Sequence, residues 1–479
     1  MRETYRALTV ATALVTLVAC GGDNNNGLTA RTLQGAITAL DSGSVTVNGV
    51  KTDDSATAGK IFIDDNPSTH DLLKLGQVVT VKIDDNGKTT EIRSHPEVRG
   101  GIDSGSKTAS SFTVGGQVVR VDDSTHFEDN VARLGGIAGT DRVRVSGFPD
   151  DKGGLRATRI DRDASSSTDF EIHGVASAVT ASGFTLTVGT TTYTVTIASV
   201  PATVVAGAFV EVHAAAKPAA GVIAASSVKV DDDDGLLRGD GEAEVEGIVV
   251  SGTSASFVIR TRTVTTSAST KWVGGAPGDL IPGVKVEAEG RLDGSGNIAA
   301  SKVVFHDSLR FQSAVSAVTS VTDAKNGTFT MLGGTLTVHV SDVTEFETSG
   351  VAASLSAALL TQNVEVRGYP TVAGGNDIVA TRIKLGAGGS GGGASTRIVI
   401  QGPITDLNAS AKTFKILGYT IDGSGASSLS RDDNPLSNDS SAVFTGLANG
   451  AVVKARADGP AALTGTTLTA KELELEDDK

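Results

Sequence analysis

The hydrophobic pattern of the chain is an alternation that recurs many times along its length. Val143 and Val145 fall on one face of an extended segment, and Arg142 and Arg144 fall on the other. A Pro/Asp/Gly turn follows, and a second alternating segment ends in Ala-Thr-Arg-Ile at 157–160. Because side chains of a β-strand alternate between two faces, this pattern predicts a half-buried hairpin. The chain is therefore predicted to be all-β.

The same cassette occurs six times. Each copy opens on a strand with a small residue near its middle, at Gly35, Gly100, Gly174, Gly247, Ser313 and Gly402. Two more strands follow, then a segment that allows a short helix or loop, and finally the Val-x-Val strand and its hairpin partner. This is the strand order of the five-stranded OB-type barrel. We therefore expect a tandem array of six small OB-like β-barrels with a short helix or loop between strands three and four.

The repeat also sets the expected boundaries. Modules 1 to 6 are predicted at 34–95, 96–164, 169–230, 243–307, 308–385 and 395–479, with a Gly-rich linker at 386–394. The linker composition favours a flexible segment, so module 6 is expected to move independently. Barrels of this size without cross-links are marginally stable alone, and we expect some packing between neighbours.

Aromatic residues recur at fixed places in the cassette. The second strand carries Phe112, Phe184, Phe257, Phe329 and Phe414, with Val45 in the first copy. A Phe two residues before an aliphatic residue on the same strand face is expected in the core rather than at a binding surface. A Thr-x-aromatic motif follows the third strand at 125–127, 270–272 and 344–346, with a weaker echo at Val443-Phe444. We expect these motifs to plug one end of each barrel.

The N-terminus has the pattern of an export signal. Residues 1–19 combine Arg2 and Arg6 with an apolar run that is too short to span a bilayer. The run ends in Leu-Val-Ala-Cys-Gly at 17–21, which resembles the lipobox of bacterial lipoproteins. The resemblance implies cleavage before Cys20, a palmitate-type acyl anchor on Cys20 and a tether over 20–33. Gly21, in place of an Asp, favours the outer membrane.

Composition narrows the classes of function. The chain has 41 Lys and Arg against 55 Asp and Glu, a net charge of −14. This charge disfavours nucleic acid as a partner, although OB barrels often bind single strands. Cys20 is the only cysteine, so the chain can form neither an internal disulfide nor a thiolate zinc cluster. We expect no cofactor.

Acidic turns are the candidates for a metal site. Asp84, Asp122 and Asp232 lie in turns or at strand ends, but the ligand spacing of an EF-hand fails around Gly87 and Gly235. We expect solvated turns and at most weak Ca²⁺ binding. His173 and His213 lie in one module beside Glu171 and Glu211, on the polar side of alternating strands. We expect these histidines to be exposed and unconnected.

Taken together, the repeated motifs behind a lipobox resemble the bacterial lipoprotein repeat catalogued as domain-of-unknown-function family 5666, with the best agreement in modules 2 to 5. The resemblance implies an envelope lipoprotein and supplies no catalytic residues. Gly-rich strings at 386–392 match nucleophile-elbow and dinucleotide-loop patterns only in a low-complexity tract.

We therefore expect a non-enzymatic, lipid-anchored protein of the cell envelope, acting as a structural or binding array. It would be attached through its lipid at the outer membrane, on the periplasmic or the surface face, with an envelope protein or a glycan as a conceivable partner. The alternatives are a glycan- or cation-binding surface lipoprotein and, less favoured, a hydrolase.

Overall fold

The computed structural model describes residues 30–475 except for short gaps at 56–59, 109, 123, 129–130, 132–133, 164–168, 190, 231–236, 238–240, 307–308, 324–325, 342–343, 348–354, 356–361, 372–374, 386–396, 432–433, 436–443 and 445–446. Cys20, the signal segment, residues 20–29 of the predicted tether, Asp232, Val443 and the Gly-rich linker lie outside the described residues. Residues 31–33, which were expected in the tether, belong instead to the first strand of module 1. Within the described part, no helix has the length and apolar character to cross a bilayer.

Modules 1 to 3 are built from alternating strands as predicted. Module 1 comprises β1 (Arg31–Asp41), β2 (Ser44–Val47), β3 (Val50–Asp53), β4 (Ile61–Ile63), β5 (Asn66–Ser68), β6 (Val78–Ile83) and β7 (Thr89–Ser94). Module 2 comprises β8 (Val98–Gly101), β9 (Ser111–Val114), β10 (Gln117–Arg120), β11 (His126–Phe127), β12 (Arg142–Pro149) and β13 (Leu155–Arg162). Module 3 comprises β14 (Phe170–Thr180), β15 (Gly183–Val188), β16 (Thr191–Thr196), β17 (Phe209–Ala214) and β18 (Val222–Val230).

Modules 4 to 6 repeat this order. Module 4 comprises β19 (Glu242–Thr253), β20 (Ser256–Ile259), β21 (Arg262–Thr265), β22 (Lys271–Val273), β23 (Lys285–Leu292) and β24 (Ile298–Phe305). Module 5 comprises β25 (Leu309–Val321), β26 (Gly327–Met331), β27 (Leu336–Val340), β28 (Glu345–Glu347), β29 (Asn363–Pro370) and β30 (Asp377–Leu385). Module 6 comprises β31 (Arg397–Pro403), β32 (Thr405–Asn408), β33 (Thr413–Ile416), β34 (Tyr419–Asp422), β35 (Ser428–Arg431), β36 (Asn434–Pro435), β37 (Val452–Asp458), β38 (Leu463–Thr464), β39 (Thr467–Thr469) and β40 (Glu472–Leu475).

The strands close into five-stranded barrels of the expected order. In module 4, β19 pairs with both β20 and β23, and the third strand β21 runs parallel to the fifth strand β24. Modules 3 and 5 close in the same way. Modules 1 and 2 complete the circuit through single bridges, and module 6 divides its barrel between two sheets. The predicted all-β fold of repeated OB-like barrels is confirmed.

In modules 1, 2 and 4 the predicted short helix or loop takes the form of a single 3₁₀ turn. Between the third and fourth strands, modules 1, 2 and 4 have single 3₁₀ turns at His70–Leu72, Leu134–Gly136 and Pro277–Asp279. Further 3₁₀ turns lie at Leu332–Gly334 and Pro460–Ala462. A short turn suffices here because the connection has only to cross one end of a narrow barrel.

The small residue in the first strand has a steric cause. A Cβ at Gly174 would lie 2.5 Å from the carbonyl oxygen of Thr187 on the second strand. The first strand pairs with the fourth strand before this point and with the second strand after it, so the two backbones come close where the pairing changes. In module 5 the serine at position 313 is accommodated, and its hydroxyl accepts a hydrogen bond from the backbone N–H of Leu332 at 3.1 Å.

Closing each barrel leaves one free edge, on the N-terminal half of its first strand. These edges pair with each other across modules: β8 with β14 and β25 with β31 antiparallel, and β1 with β19 parallel. An uncovered strand edge can pair with other chains, and here a second barrel covers it. The six modules therefore form three pairs, 2 with 3, 5 with 6, and 1 with 4.

The barrel interiors hold the predicted core. Phe112, Phe257, Phe329 and Phe414 are at most 1% exposed, and Phe184 is 4% exposed. Modules 2 and 3 share one continuous hydrophobic cluster, as do modules 5 and 6, whereas modules 1 and 4 have separate cores. A small cluster of Ala36, Val78, Phe148 and Ile248 joins modules 1, 2 and 4. The neighbour packing that was expected from module size is therefore extensive.

The Thr-x-aromatic motifs form short strands rather than plugs. β11, β22 and β28 each pair in parallel with the fifth strand of their own module. The motif threonine hydroxyl donates to a fifth-strand carbonyl in all three, from Thr125, Thr270 and Thr344 to Ala157, Ala300 and Ala380, at 2.7 to 2.9 Å. In module 6 this place is taken by β35, so the predicted echo at Val443-Phe444 was wrong in position. Phe444 is instead a buried core residue beside Phe414.

Candidate functional site

The polar faces of the first and fourth strands lie between modules. Alternation predicts these faces correctly as polar, yet many of their residues are buried because a neighbouring barrel covers them. The buried members include Glu171, His173, Glu211, Glu244, Glu246, Glu287, Arg367, Gln401 and Lys454. A buried charge is costly unless it is paired, so the chemistry of the molecule is concentrated at these junctions.

Charged groups pair across the junctions. Contacts between modules include Arg31 with Glu244 at 2.5 Å, Arg260 with Glu97 at 2.6 Å, Arg367 with Asp279 at 2.9 Å, and the Tyr369 hydroxyl donating to Asp122 at 2.6 Å. These contacts connect module 4 with modules 1, 2 and 5, and module 5 with module 2. The barrels are thus held in one body by polar contacts as well as by shared sheets.

One junction collects three of the seven histidines of the chain. We call it the histidine cluster, and its members are Asp65, His95, Glu171, His173, Glu211, His213 and Lys229. Glu171 and His173 lie on β14, and Glu211 and His213 lie opposite them on β17, with Glu171 facing His213 and His173 facing Glu211. Residues two apart on a strand share a face, so the two strands present a compact square of two carboxylates and two imidazoles.

Module 1 covers this square. Asp65 lies in the β4–β5 turn, and its carboxylate contacts Lys229 and lies 3.4 Å from Nε2 of His95. His95 is the residue directly after β7, and the centroid of its ring lies 6.0 Å from that of the His173 ring. Nδ1 of His95 lies 3.9 Å from Oε2 of Glu211. The cluster is therefore built from residues that are far apart in the chain.

Within the square, each histidine contacts the glutamate two residues before it. Nε2 of His173 lies 3.1 Å from Oε1 of Glu171, and Nε2 of His213 contacts Oε1 of Glu211. The hydrogen bond to Glu211 is the main reason why the pKa of His213 is raised above its usual value. Lys229 lies 2.8 Å from the other Glu211 oxygen. Glu211 thus has cationic or polar partners on both oxygens.

Burial separates the inner from the outer members. Glu171 is 1% exposed and Glu211 is 3% exposed, whereas the side chains of His213 and Lys229 are 31% and 42% exposed. Oε2 of Glu171 is buried and accepts no hydrogen bond from the described residues. The carboxylates therefore lie beneath a rim through which an ion could reach them. Two sets of donor atoms in this cluster, Asp65 with His95 and Glu211, and Glu171 with Glu211 and His213, lie within 4.8 Å of one another.

The prediction that His173 and His213 are exposed and unconnected is wrong. His173 is 3% exposed, and both histidines connect through Glu171 and Glu211. The strand pattern placed them on the outward face, as observed. It could not indicate that the Asp64–Asp65 turn of module 1 would cover that face.

A second polar junction joins modules 1 and 4. Burial and the nearby Glu287 raise the pKa of Glu244 to about 8. Burial also disfavours the charged form of Glu246, but Lys285 and His306 outweigh it and lower the pKa of Glu246. Oε2 of Glu246 accepts a hydrogen bond from the backbone N–H of Ala36 at 2.7 Å. This junction combines carboxylates with the guanidinium of Arg31, the ammonium of Lys285 and the imidazole of His306. Among the described residues, the groups of three donors close enough to share an ion lie in the histidine cluster instead.

The predicted metal candidates do not come together. Asp84 accepts hydrogen bonds from the backbone N–H groups of Asn86 and Lys88 in its own turn, at 2.9 and 3.0 Å. These bonds lower the pKa of Asp84. Asp122 accepts from Ser124 and Tyr369, and Asp232 lies outside the described residues. Asp84 thus stabilises its turn, while Asp122 also links two modules.

Another acidic turn has a role that the sequence did not indicate. Acidic turns as a class were expected to be solvated, but the Asp64 carboxylate lies 3.8 Å from Arg99 and 3.9 Å from Arg144 of module 2. Both aspartates have positive φ, 51° and 58°, which Asp tolerates better than most residues. The turn therefore projects carboxylates from module 1 onto modules 2 and 3.

A surface cavity lies apart from the histidine cluster. It has a volume of about 350 Å³ and is lined by Ser254, Ala255, Thr266, Ser267, Ala268, Trp272 and Pro277 of module 4. Its hydroxyls are partly used by local structure, since Thr266 donates to the Ser254 carbonyl at 2.6 Å. The indole of Trp272 packs against Phe305. The cavity brings no carboxylate, histidine or lysine together among its lining residues.

Comparison with known proteins identifies the repeat. A family model described as Domain of unknown function (DUF5666) matches residues 34–90, 99–161, 246–304 and 317–384, about half of the chain. The matches fall on modules 1, 2, 4 and 5, so the better agreement expected for module 3 than for module 1 was wrong. No curated protein matches the chain. The recurring cassette and the matched segments agree, and the chain belongs to the DUF5666 family.

Proposed function

We propose that this protein is a lipid-anchored component of the bacterial cell envelope, attached through Cys20 at the outer membrane. Its six-barrel body acts as a non-enzymatic structural or binding array. The observation that supports this proposal is that outward-facing polar residues form contacts between modules. In a repeat whose inner face is uniform, the variable outer residues make contacts between modules, such as Arg367 with Asp279 and Tyr369 with Asp122. Side chains used in this way build a body rather than a reaction centre.

The anchor can be tested directly in the full chain expressed in a bacterium. Cys20→Ser removes the only thiol, so the variant is expected in the aqueous phase of a detergent partition or as uncleaved precursor, while the unmodified protein enters the detergent phase. Thr12→Ser is the matched control, because it changes the apolar run without touching the cysteine. Acylated Cys20→Ser protein in the detergent phase would refute the anchor.

The rigid body has its own test, which does not depend on the anchor. A compact folded chain of this length has a radius of gyration of about 23 Å, and small-angle X-ray scattering of the purified protein is expected to give a value near that. Six barrels on flexible linkers would give a much larger value, and the proposal of a single body would then fail. A binding array for glycans is the alternative, which glycan-array screening would favour by a reproducible hit.

A further inference from the structure

We propose that Glu171, Glu211 and His213 bind a divalent transition-metal ion of the zinc class at the rim of the histidine cluster. The donor atoms of these three residues lie within 4.8 Å of one another. In a tetrahedral Zn²⁺ site, ligand atoms bound at about 2.1 Å lie roughly 3.4 Å apart. Side-chain shifts on the order of an ångström therefore bring all three donors to one ion.

The paired strands β14 and β17 allow the side chains to adjust while the backbone positions of the three residues stay fixed. Glu171 and His213 are directly opposite in the β14–β17 ladder, and Glu211 lies two residues before His213 on the same face. Ligands on paired strands keep their backbone spacing, so only side-chain torsions need to change. The strands are central in the barrel, since β14 also pairs with β15 and β8. The site is thus held by the most constrained part of module 3.

The donor types select the class of ion. Zinc takes imidazole nitrogen together with carboxylate oxygen, and in sites with three protein ligands a water completes the tetrahedron. Calcium and magnesium take oxygen ligands and more of them, so one imidazole and two carboxylates disfavour both. Glu171 Oε2 is the independent sign of a missing ligand: the residue is 1% exposed, and this oxygen accepts no hydrogen bond from the described residues. An ion bound by Glu171 would supply its partner.

Lys229 is the competitor for the same carboxylate. Its ammonium lies 2.8 Å from Glu211 Oε2 and also contacts Asp65. Because 42% of the Lys229 side chain is exposed, it can leave Glu211 and keep Asp65 as its partner when an ion enters. Lys229 then sets the affinity, because the incoming ion must displace a positive charge.

Module 4 shows why the site belongs to module 3. The positions equivalent to Glu211 and His213 are Glu287 and Glu289 on β23, opposite Glu246 and Glu244. The imidazole at the His213 position is therefore replaced by a fourth carboxylate. Module 4 has an imidazole nearby, since His306 lies 3.5 Å from Glu287, but among the described residues the groups of three donors within reach of one ion lie in the histidine cluster. The proposed ion site depends on a substitution within one repeat and does not depend on the lipid anchor.

The test is titration of the full chain, purified in detergent and stripped with a chelator, with ZnCl₂ in a calorimeter. We expect one Zn²⁺ per chain that excess Mg²⁺ or Ca²⁺ does not displace. His213→Ala should weaken this binding at least about tenfold, since even the loss of a residue that only hydrogen-bonds to a metal ligand costs about that much affinity. The His213 side chain is partly exposed, so this variant is expected to fold. Glu171→Gln should have a similar effect, and Lys229→Met should tighten binding.

The matched control is His339→Ala, because His339 is a similarly half-buried imidazole beside a carboxylate, 3.5 Å from Asp377 in module 5. It should leave Zn²⁺ affinity unchanged. The proposal is overturned if the unmodified protein binds no Zn²⁺ at micromolar concentration, or if His213→Ala binds as well as His339→Ala. Absorption bands of bound Co²⁺ that vanish in His213→Ala would support the same nitrogen ligand by a second readout.

Discussion

Modules 3 and 4 have the same barrel fold but different side chains on its outer face. Their inner faces carry Phe184 and Phe257 at the same place, both buried. Their outer faces carry two glutamates with two histidines in module 3 and four glutamates in module 4. The inner face thus carries the same kind of core residue in both repeats. The outer face differs between them and matches the neighbouring module that covers it. The repeat supplies the shape, and each junction has its own charge.

The largest expected effect tests the shared inner face. Phe257→Ala should destabilise module 4 by about 3 to 5 kcal/mol, because the ring is 1% exposed and its removal leaves a cavity. Phe184→Ala should cost module 3 a comparable amount. Thermal and denaturant unfolding measure both, and Val321→Ala is the control because Val321 is 53% exposed. An unchanged unfolding profile for Phe257→Ala would mean that the ring is not a core residue.

The next effect tests the carboxylate junction of module 4. The pKa of Glu244 is raised to about 8 from its usual 4.5. Burial is the main cause of this rise. The nearby carboxylates Glu287 and Glu289 raise the pKa further, whereas the cations Arg31 and Lys302 lower it. The folded protein therefore holds a proton that the unfolded chain loses above about pH 4.5. The contribution of Glu244 to stability should be greatest below that pH and should fall as pH rises towards about 8, by at most about 1.4 kcal/mol per pH unit.

Glu244→Gln removes this proton exchange, so its stability should fall less steeply than that of the unmodified protein over the same pH range. Denaturant unfolding at several pH values measures the difference between the two slopes. Glu91→Gln, on β7 of module 1, is the control and should retain the steeper slope. Parallel curves for Glu244→Gln and the unmodified protein would contradict a raised pKa at Glu244.

The smallest effect concerns the short strand β22 of module 4. The described residues 191–230 of module 3 contain no counterpart of this strand. Thr270 is buried, donates to the Ala300 carbonyl at 2.7 Å and accepts from the backbone N–H of Ser267 at 2.8 Å. Thr270→Val leaves both backbone groups without this partner and should cost about 1 to 3 kcal/mol. Thr196→Val in module 3 loses only a 3.4 Å contact and should change stability by less than about 0.5 kcal/mol. Equal losses in the two variants would show that the short strand adds nothing.

The division between inner and outer faces also explains what sequence could predict. The barrel order, the buried Phe257 and the Val-x-Val strands follow from patterns within one module, where alternation and turn residues decide. The histidine cluster does not, because His173 is covered by a turn more than a hundred residues earlier in the chain. The pattern placed His173 and His213 correctly on the polar face. Module 1 lies on that face although its first strand pairs with that of module 4, and alternation within one module carries no information about such contacts.

The parallel pairing of β1 with β19 has a consequence for the order of events during synthesis. β1 begins at Arg31 and its partner begins at Glu242, so at about 5 to 20 residues per second the partner emerges roughly 10 to 40 s later. During that interval the N-terminal half of β1 is an uncovered strand edge, which other chains could extend. The antiparallel pairs wait for a shorter time, since β8 and β14 lie in consecutive modules. Of the three paired edges, that of β1 in module 1 is therefore exposed to aggregation for the longest time before its partner strand covers it.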